Sequence, residues 1–274
     1  MGSGILYLVA TPIGNLEDIT FRALRVLREC DVIACEDTRH SRRLLDHHSV
    51  DRPLISYHEH NERERSAELL ERLRRGENVA LISDAGTPLV SDPGYRLVHQ
   101  AATDGIAVVP VPGASAILTA LTASGLPTDS FFFGGFLPAK STQRRKRLEE
   151  LQGLDAVLVF YEAPHRVLES LADVIAVLGA RECVLTRELT KLHEEFLRGT
   201  AVEVLALLEA RESIKGEITL VIGKPLLPAA DGRPIRDAVD ELISAGSPQM
   251  EAIKSVARSR GLSKRDVYAE YMKR

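Results

Sequence analysis

The chain has little cysteine, no long apolar run and neither of the common phosphate-loop signatures, and each shortage removes a class of protein. Its three cysteines, Cys30, Cys35 and Cys183, form no CxxC pair and no disulfide framework, so buried reduced thiols are expected. No apolar stretch approaches the roughly 20 residues needed to span a bilayer. Met-Gly-Ser-Gly leads straight into a strand pattern and not a signal peptide, so the expectation is a cytoplasmic protein. GxxxxGKS/T and, after the first strand, GxGxxG are both missing, which leaves the usual P-loop and dinucleotide sites without support. A net charge of −4 argues against a coat of basic surface for indiscriminate nucleic-acid binding.

What is present is a globular chain of 274 residues, 45% apolar and 27% charged, long enough for two ordinary cores. Strand patterns at Leu6–Ala10, Val32–Cys35, Leu54–Tyr57, from Val79, and at Ile106–Val111 alternate with helical spacings. That alternation predicts a parallel sheet covered on both faces. Turn formers from Gly125 to Asp129 mark a domain boundary. A second α/β unit follows, with strands at Phe131–Phe136, Ala156–Tyr161, Cys183–Arg187 and Gly216–Ile222. Lys224-Pro225 through Asp231-Gly232 reads as a linker, and beyond it Ser247-Pro248 and Ser263 open two short helices separated by Gly261. The predicted fold class is therefore α/β: two α/β domains, 1–125 and 126–224, plus a linker and short helical C-terminal tail, 225–274. From Gly232 to Arg274 nine Lys or Arg stand against six Asp or Glu, leaving the tail at +3 and the remainder at −7. This balance suits a catalytic body with a basic appendage, and equally a solvated helical face.

The stretch Leu-Ile-Ser-Asp-Ala-Gly-Thr-Pro-Leu-Val-Ser-Asp-Pro-Gly, residues 81–94, is the part that most needs a functional explanation. A buried strand stops in small residues, and Asp92 with Pro93 announces the next helix as its cap and first position. The loop between, with Gly86 in it and Asp84 at the strand's carboxyl end, lets a ligand approach the backbone where open α/β sheets bind ligands. Glu36-Asp37-Thr38-Arg39-His40 is a second dense polar set at a strand end, and Asn61 with Glu64 reads as a capping pair for the helix after it. His58 and His60 sit two apart and would share a strand face, but no third metal ligand is placed, and hydrogen-bonded or solvated histidines are the favoured reading. Glu162-Ala163-Pro164-His165-Arg166 follows another buried strand, at whose carboxyl end His165 is placed to face a ligand, unless Glu162 and Arg166 merely pair with each other. Arg144 and Arg145 open a run of four cations on a helix, some of which must face solvent and are candidates for phosphate contact.

Six motifs together, Leu6–Thr20, Cys35–Ser41, Ser83–Pro88, Pro112–Ala116, Glu162–Arg166 and Thr186–Lys191, occur in order and with characteristic spacing over about residues 5 to 224. On these the chain resembles the tetrapyrrole methylase family, and within it the branch that methylates ribosomal RNA. The resemblance implies a two-domain α/β methyltransferase that binds S-adenosylmethionine in a cleft between its domains, commonly as a homodimer. The expected activity is 2′-O-methylation of a cytidine in the decoding centre of 16S ribosomal RNA, probed as RNA or within the small ribosomal subunit, with no metal. Carried over by motif, the cofactor contacts would be Pro12, Gly14, Asp84, Ala85, Gly86, Thr87 and Ser115, with Glu162 to His165 closing from the second domain. Glu36, Asp37, Glu162 and His165 are the candidates for taking the hydroxyl proton. Arg39, Arg144, Arg145, Arg166 and Arg187 are candidates for RNA phosphate. Where porphyrin and corrin members carry Gly-Asp-Pro, this chain has Asp84-Ala85-Gly86-Thr87-Pro88, a departure that favours the ribosomal branch. A small-molecule methyltransferase of the tetrapyrrole type and a non-catalytic RNA-binding module are the competing readings.

Overall fold

The computed structural model describes residues 2–225, 233–260 and 262–273. It divides into a larger unit, Met1–Leu151 with Ala156–Gly223, and a smaller one, Gln152–Asp155 with Lys224–Arg274.

The larger unit holds two sheets. The first is wholly parallel, with strands β1 (Ile5–Val9), β2 (Val32–Cys35), β3 (Leu54–Ser56), β4 (Val79–Ile82) and β5 (Ala107–Val111) in the order β3-β2-β4-β1-β5. Its strands are apolar on both sides because helices cover both faces. Leu6, Val32, Val79 and Leu81 face Leu69 and Leu73 of α3 (Glu62–Arg74) and Leu97 and Ala101 of α4 (Tyr95–Thr103). The alternate residues Val9, Ile33, Ala80 and Ile82 face Ala23, Val26 and Leu27 of α1 (Phe21–Glu29) and Leu45 of α2 (Thr38–His47). Adjacent strands β1 and β4 thus send their helices to opposite faces, and a crevice opens at the carboxyl ends of such a pair.

The second sheet has the order β6-β7-β10-β8-β9, where β6 is Phe131–Phe136, β7 Val157–Glu162, β8 Glu182–Arg187, β9 Glu195–Thr200 and β10 Ile218–Ile222. Only β6 and β7 run parallel; β10 pairs antiparallel with β7 and β8, and β8 with β9. One face is buried under α6 (Ser141–Leu151), α7 (Val167–Leu178) and α8 (Ala201–Glu209). The other packs Val157, Val159, Val184 and Val221 against Ile117, Ala120 and Leu121 of α5 (Ala116–Ser124) and against Ile13.

Several local expectations change. The turn-rich stretch at 125–129 does separate the strands of the two sheets, but α5, which precedes it, packs on the second sheet. The apolar face of α5 reads the same wherever it docks, so only packing could assign it. Asn61 makes no side-chain cap for α3; its amide oxygen accepts from the His58 N–H at 2.8 Å and its amide nitrogen donates to the Ser56 carbonyl at 3.1 Å. The hairpin of β8 and β9 and the helix α8 were not expected. Yet a capping box announces α8, Thr200 accepting from the Glu203 N–H while the Glu203 carboxylate accepts from the Thr200 N–H.

The smaller unit is three helices, α9 (Ile235–Ser244), α10 (Gln249–Ser259) and α11 (Lys264–Met272), around Val239, Ala252, Ile253, Val256, Ala257 and Val267. Two had been expected; Ile235, Ala238, Val239, Leu242 and Ile243 carry the helical spacing of the third. Ser263 caps α11 by accepting from the Asp266 N–H at 3.1 Å. Most of the expected linker (226–232) and Gly261 lie outside the described residues. No helix among the described residues is long and apolar enough to cross a membrane.

Candidate active site

Three loops leave the carboxyl ends of the neighbouring strands β4, β1 and β5, and backbone contacts lace them together. Thr11 and Gly86 exchange N–H···O bonds in both directions, at 2.9 and 3.1 Å. The Thr11 hydroxyl donates to the Ser83 carbonyl at 3.1 Å, and the Ser83 hydroxyl to the Gly86 carbonyl at 3.1 Å. Gly86 has φ +83°, and a β-carbon there would stand 3.3 Å from Ile13 Cγ2; the left-handed backbone and the close approach both call for glycine. Ser115 caps α5 and closes the third loop.

Beside these loops lies a cavity of about 400 Å³, within the ordinary range for ligand sites. Its wall includes Ile13, Ala85, Gly86, Thr87 and Ser115 from the first half of the unit. The second half contributes Phe136, Tyr161, Glu162 and the 216–219 segment. Small side chains and backbone on one side suit a compact, weakly anionic or zwitterionic cofactor, and the other side is aromatic.

The expected site residues divide into those on the cavity wall and those beside it. Ala85, Gly86, Thr87, Ser115 and Glu162 line it. Pro12 is buried and off the wall, and Gly14 is small for another reason: a β-carbon there would meet Lys191 Cγ at 2.5 Å and Thr190 Oγ1 at 2.9 Å. Asp84 accepts from the Asp37 N–H at 3.2 Å and so ties the end of β4 to the end of β2. Asp37 caps α2 and accepts from the Arg39 side chain, which holds its carboxyl down at about 2.

Among the candidate bases, Glu162 is already satisfied: its carboxylate accepts from the Ala163 N–H at 2.8 Å, the Ser170 hydroxyl at 2.6 Å and the Arg166 guanidinium. With both oxygens engaged and the side chain buried, it shapes the wall and has little freedom to take a proton. His165 is exposed and off the wall. Burial, and then the charge of Asp84, push the Glu36 carboxyl up from its ordinary value, but Glu36 too stands behind the wall. Sequence reasoning missed Asp92, which it had assigned to a helix cap. In the structure α4 begins at Tyr95, and the missing cap is supplied by Glu62 of α3, whose carboxylate accepts from the Gly94 N–H at 3.2 Å and the Arg96 N–H at 3.3 Å. Asp92 is thereby released to the cavity wall. Its N-terminal flank is costly: Leu89 and Ser91 adopt φ +71° and +66°, conformations that for residues with a β-carbon persist only where the surrounding structure imposes them. Burial, followed by the charge of Glu36, raises the Asp92 carboxyl to about 6, with the Ser83 hydrogen bond opposing. Burial and then Asp92 push the Tyr161 phenol up to about 12.

The arginines separate in the same way. Arg144 is 1% exposed; it donates to Asp173 at 2.7 Å and to the Pro138 and Ala139 carbonyls at 3.3 and 3.1 Å. It stitches α6 to α7 and is withdrawn from any phosphate. Arg166 is taken up by Glu162, and Arg187 by Glu195 at 3.0 Å and the Lys215 carbonyl at 3.3 Å. Arg39 and Arg145 keep side chains 89% and 50% exposed. His58 and His60 lie with ring centroids 5.9 Å apart, and among the described residues no group of three or more His, Cys, Asp or Glu side chains is placed to hold a metal ion.

Within the larger unit, a parallel sheet with a crevice at its switch point is joined to a mixed sheet across a small-residue cavity. The family model described as Tetrapyrrole (Corrin/Porphyrin) Methylases matches residues 5–205, and the chain belongs to that family. Within it, the chain is 51% identical over 276 residues to the Ribosomal RNA small subunit methyltransferase I of Halalkalibacterium halodurans, covering 98% of this chain and 94% of that one. It is 47% identical to the protein of the same name from Pseudomonas aeruginosa, covering 100% and 99%. Uroporphyrin-III C-methyl transferase from Thermus thermophilus, solved in complex with S-adenyl homocysteine, shares the fold, with a TM-score of 0.57 at 23% identity over 80% of this chain and 97% of that one.

Proposed function

We propose that the protein transfers a methyl group from S-adenosylmethionine to the 2′-hydroxyl of a cytidine in the decoding centre of 16S ribosomal RNA, acting on the small ribosomal subunit. The observation that carries this reading is the near-full-length identity, about half, to relatives named for methylation of small-subunit RNA. The Asp84–Pro88 loop, where the tetrapyrrole branch has Gly-Asp-Pro, supports the same choice.

The residues fit the cofactor. Ala85 and Gly86 line the cavity with little side-chain bulk, the Ser115 end of α5 and Thr87 offer polar contacts, and Asp92 brings to the wall a negative charge that would favour a sulfonium cation. S-adenosylmethionine, when bound, supplies an electrophilic methyl carbon. The chain's own contribution is position: the laced loops and the Ile13 and Tyr161 walls fix the approach line and exclude water, which is where most of the acceleration of an in-line displacement arises. As the ribose oxygen would form its bond to the methyl carbon, the carbon–sulfur bond would break with S-adenosylhomocysteine as leaving group, and the hydroxyl proton would have to pass to a base. Asp92, ionised at neutral pH and standing on the wall, is the group assigned to receive it, in place of the expected candidates Glu36, Asp37, Glu162 and His165. Arg39 and Arg145 remain the candidates for RNA phosphate. The homodimer implied by family resemblance belongs to the same reading, with Phe21 and Leu192, 95% and 92% exposed, as the side chains with most to gain from a second copy.

Ribose-methylation mapping of 16S ribosomal RNA from cells with and without the protein tests the function. One cytidine 2′-O-methyl should vanish on deletion and return on complementation; an unchanged map would sink the proposal.

A further inference from the structure

Strand β6 breaks its register with β7 between Phe133 and Phe136, and two glycines make the break. At Gly134 a β-carbon would lie 2.4 Å from the Phe160 ring, so a side chain there would displace it, and Gly135 takes φ +65°, where a side chain would strain the backbone. Irregularities of this kind turn a side chain away from the direction that strand alternation would give it. Here the side chain is Phe136, which lines the cavity and remains 56% exposed. The turned segment abuts the loop that carries Asp92, since a β-carbon on Gly135 would be 3.7 Å from Ser91 Oγ.

Phe136 has protein neighbours that set its plane without covering it. Its ring centroid is 5.6 Å from that of Tyr161, tilted by 59°, and Tyr161 is itself held edge-on to Phe133 at 5.0 Å. The Arg166 guanidinium lies 5.9 Å from the Phe136 centroid and is anchored in turn by Glu162. A large aromatic ring, fixed in orientation, beside a cation and open at the edge of a cavity, has the construction of a stacking platform for an unpaired base.

We propose that Phe136 is a nucleobase-binding subsite: the base of the target nucleotide, unstacked from its RNA neighbours, lies on the Phe136 ring while its ribose reaches the cavity wall at Asp92. The inference rests on the reading of the protein as an RNA ribose methyltransferase. It goes further in requiring that the nucleotide be extruded, because a ribose within a stacked helix cannot enter a cavity walled by Ile13 and Tyr161. Stacking takes the face of the base and not its hydrogen-bonding edge, so Phe136 contributes affinity and position for a planar ring and does not itself select cytosine.

The test uses the full-length protein and small ribosomal subunits that lack the modification, with S-adenosylmethionine affinity measured separately by calorimetry. Phe136→Ala should lower kcat/KM for the subunit by roughly 10- to 100-fold, the loss typical of a removed stacking partner, and leave cofactor affinity within a factor of about two. Phe136→Trp should restore most of the loss. If instead Phe136→Ala weakens S-adenosylmethionine binding and leaves the KM for subunits unchanged, the ring belongs to the cofactor's adenine and the subsite assignment is overturned; no change in either quantity overturns it as well. Transfer by the unaltered protein to the same subunits is the separate check on the function, and failure there would bring down both readings.

Discussion

Asp92 and Gly86 show how single residues acquire their roles from neighbours. Asp92 faces the cavity because Glu62 performs the capping that its own sequence position suggests for it. A base with a pKa of about 6 is ionised at neutral pH and loses its capacity as pH falls through 6. Asp92→Asn is therefore expected to reduce kcat by about 100-fold or more, the usual scale for a removed general base, and to erase the acid limb of the pH profile near 6. Cofactor affinity, by calorimetry, should change little. The stability effect has the opposite sign. Because the folded value lies above the ordinary 3.8, folding disfavours the ionised carboxylate: the penalty is absent below about pH 4, grows between 4 and 6 and is complete at neutral pH. Asp92→Asn should raise the melting temperature at pH 7.5 by the equivalent of about 1 kcal/mol, discounted for a side chain only partly removed from water, and the gap should close near pH 4. A variant that is both less stable and unchanged in activity would remove Asp92 from the site. At Gly86 the backbone is left-handed and a β-carbon would press on Ile13 Cγ2 at 3.3 Å. Gly86→Val should abolish S-adenosylmethionine binding in calorimetry while circular dichroism stays native; undiminished affinity would move the cofactor elsewhere.

Helix α6 carries two neighbouring arginines whose fates differ because successive residues point about 100° apart around a helix. Arg144 turns inward to Asp173 and two carbonyls, and the Ser141 hydroxyl completes the Asp173 shell at 2.9 Å. Arg145 turns outward, with Asp173 only at 3.8 Å. Arg144→Ala should destabilise the fold by about 3 kcal/mol, since it leaves a largely buried carboxylate without its partner. Arg145→Ala should change stability by less than about 0.5 kcal/mol and weaken subunit binding measurably if it meets phosphate. Denaturant midpoints for the two variants would decide this, and equal destabilisation would contradict the distinction. The strained run from Leu89 to Gly94 is an element of a different kind, organised by contacts on both sides instead of its own hydrogen bonds, and it carries the proposed base.

For the whole molecule, charge and packing divide together. The +3 region from residue 232 onward contains the three-helix core of α9, α10 and α11, whereas the cavity is built wholly within the larger, acidic unit. If the basic helices dock ribosomal RNA, removing residues 225–274 should leave S-adenosylmethionine affinity nearly unchanged, raise the KM for the subunit and flatten the salt dependence of RNA binding, which counterion release makes steep. Loss of cofactor affinity with an unaltered salt slope would instead assign the tail a purely structural role.

The alternation of apolar strands with helical spacings was enough to determine the parallel first sheet, and small residues at three strand ends were enough to mark the edge that borders the cavity, because both are local consequences of side-chain size and period. The places of Ala85, Gly86, Thr87 and Ser115 on the cavity wall were legible for the same reason. What the tertiary structure alone decided were the relations between distant segments. The docking of α5 on the second sheet, the antiparallel pairing of β10 with β7 and β8, the burial of Arg144 and the release of Asp92 by Glu62 each depend on a partner tens of residues away. Side-chain identity states what a residue is able to bond, but a carboxylate that caps, pairs or accepts a proton is the same carboxylate until the fold fixes which donor reaches it first.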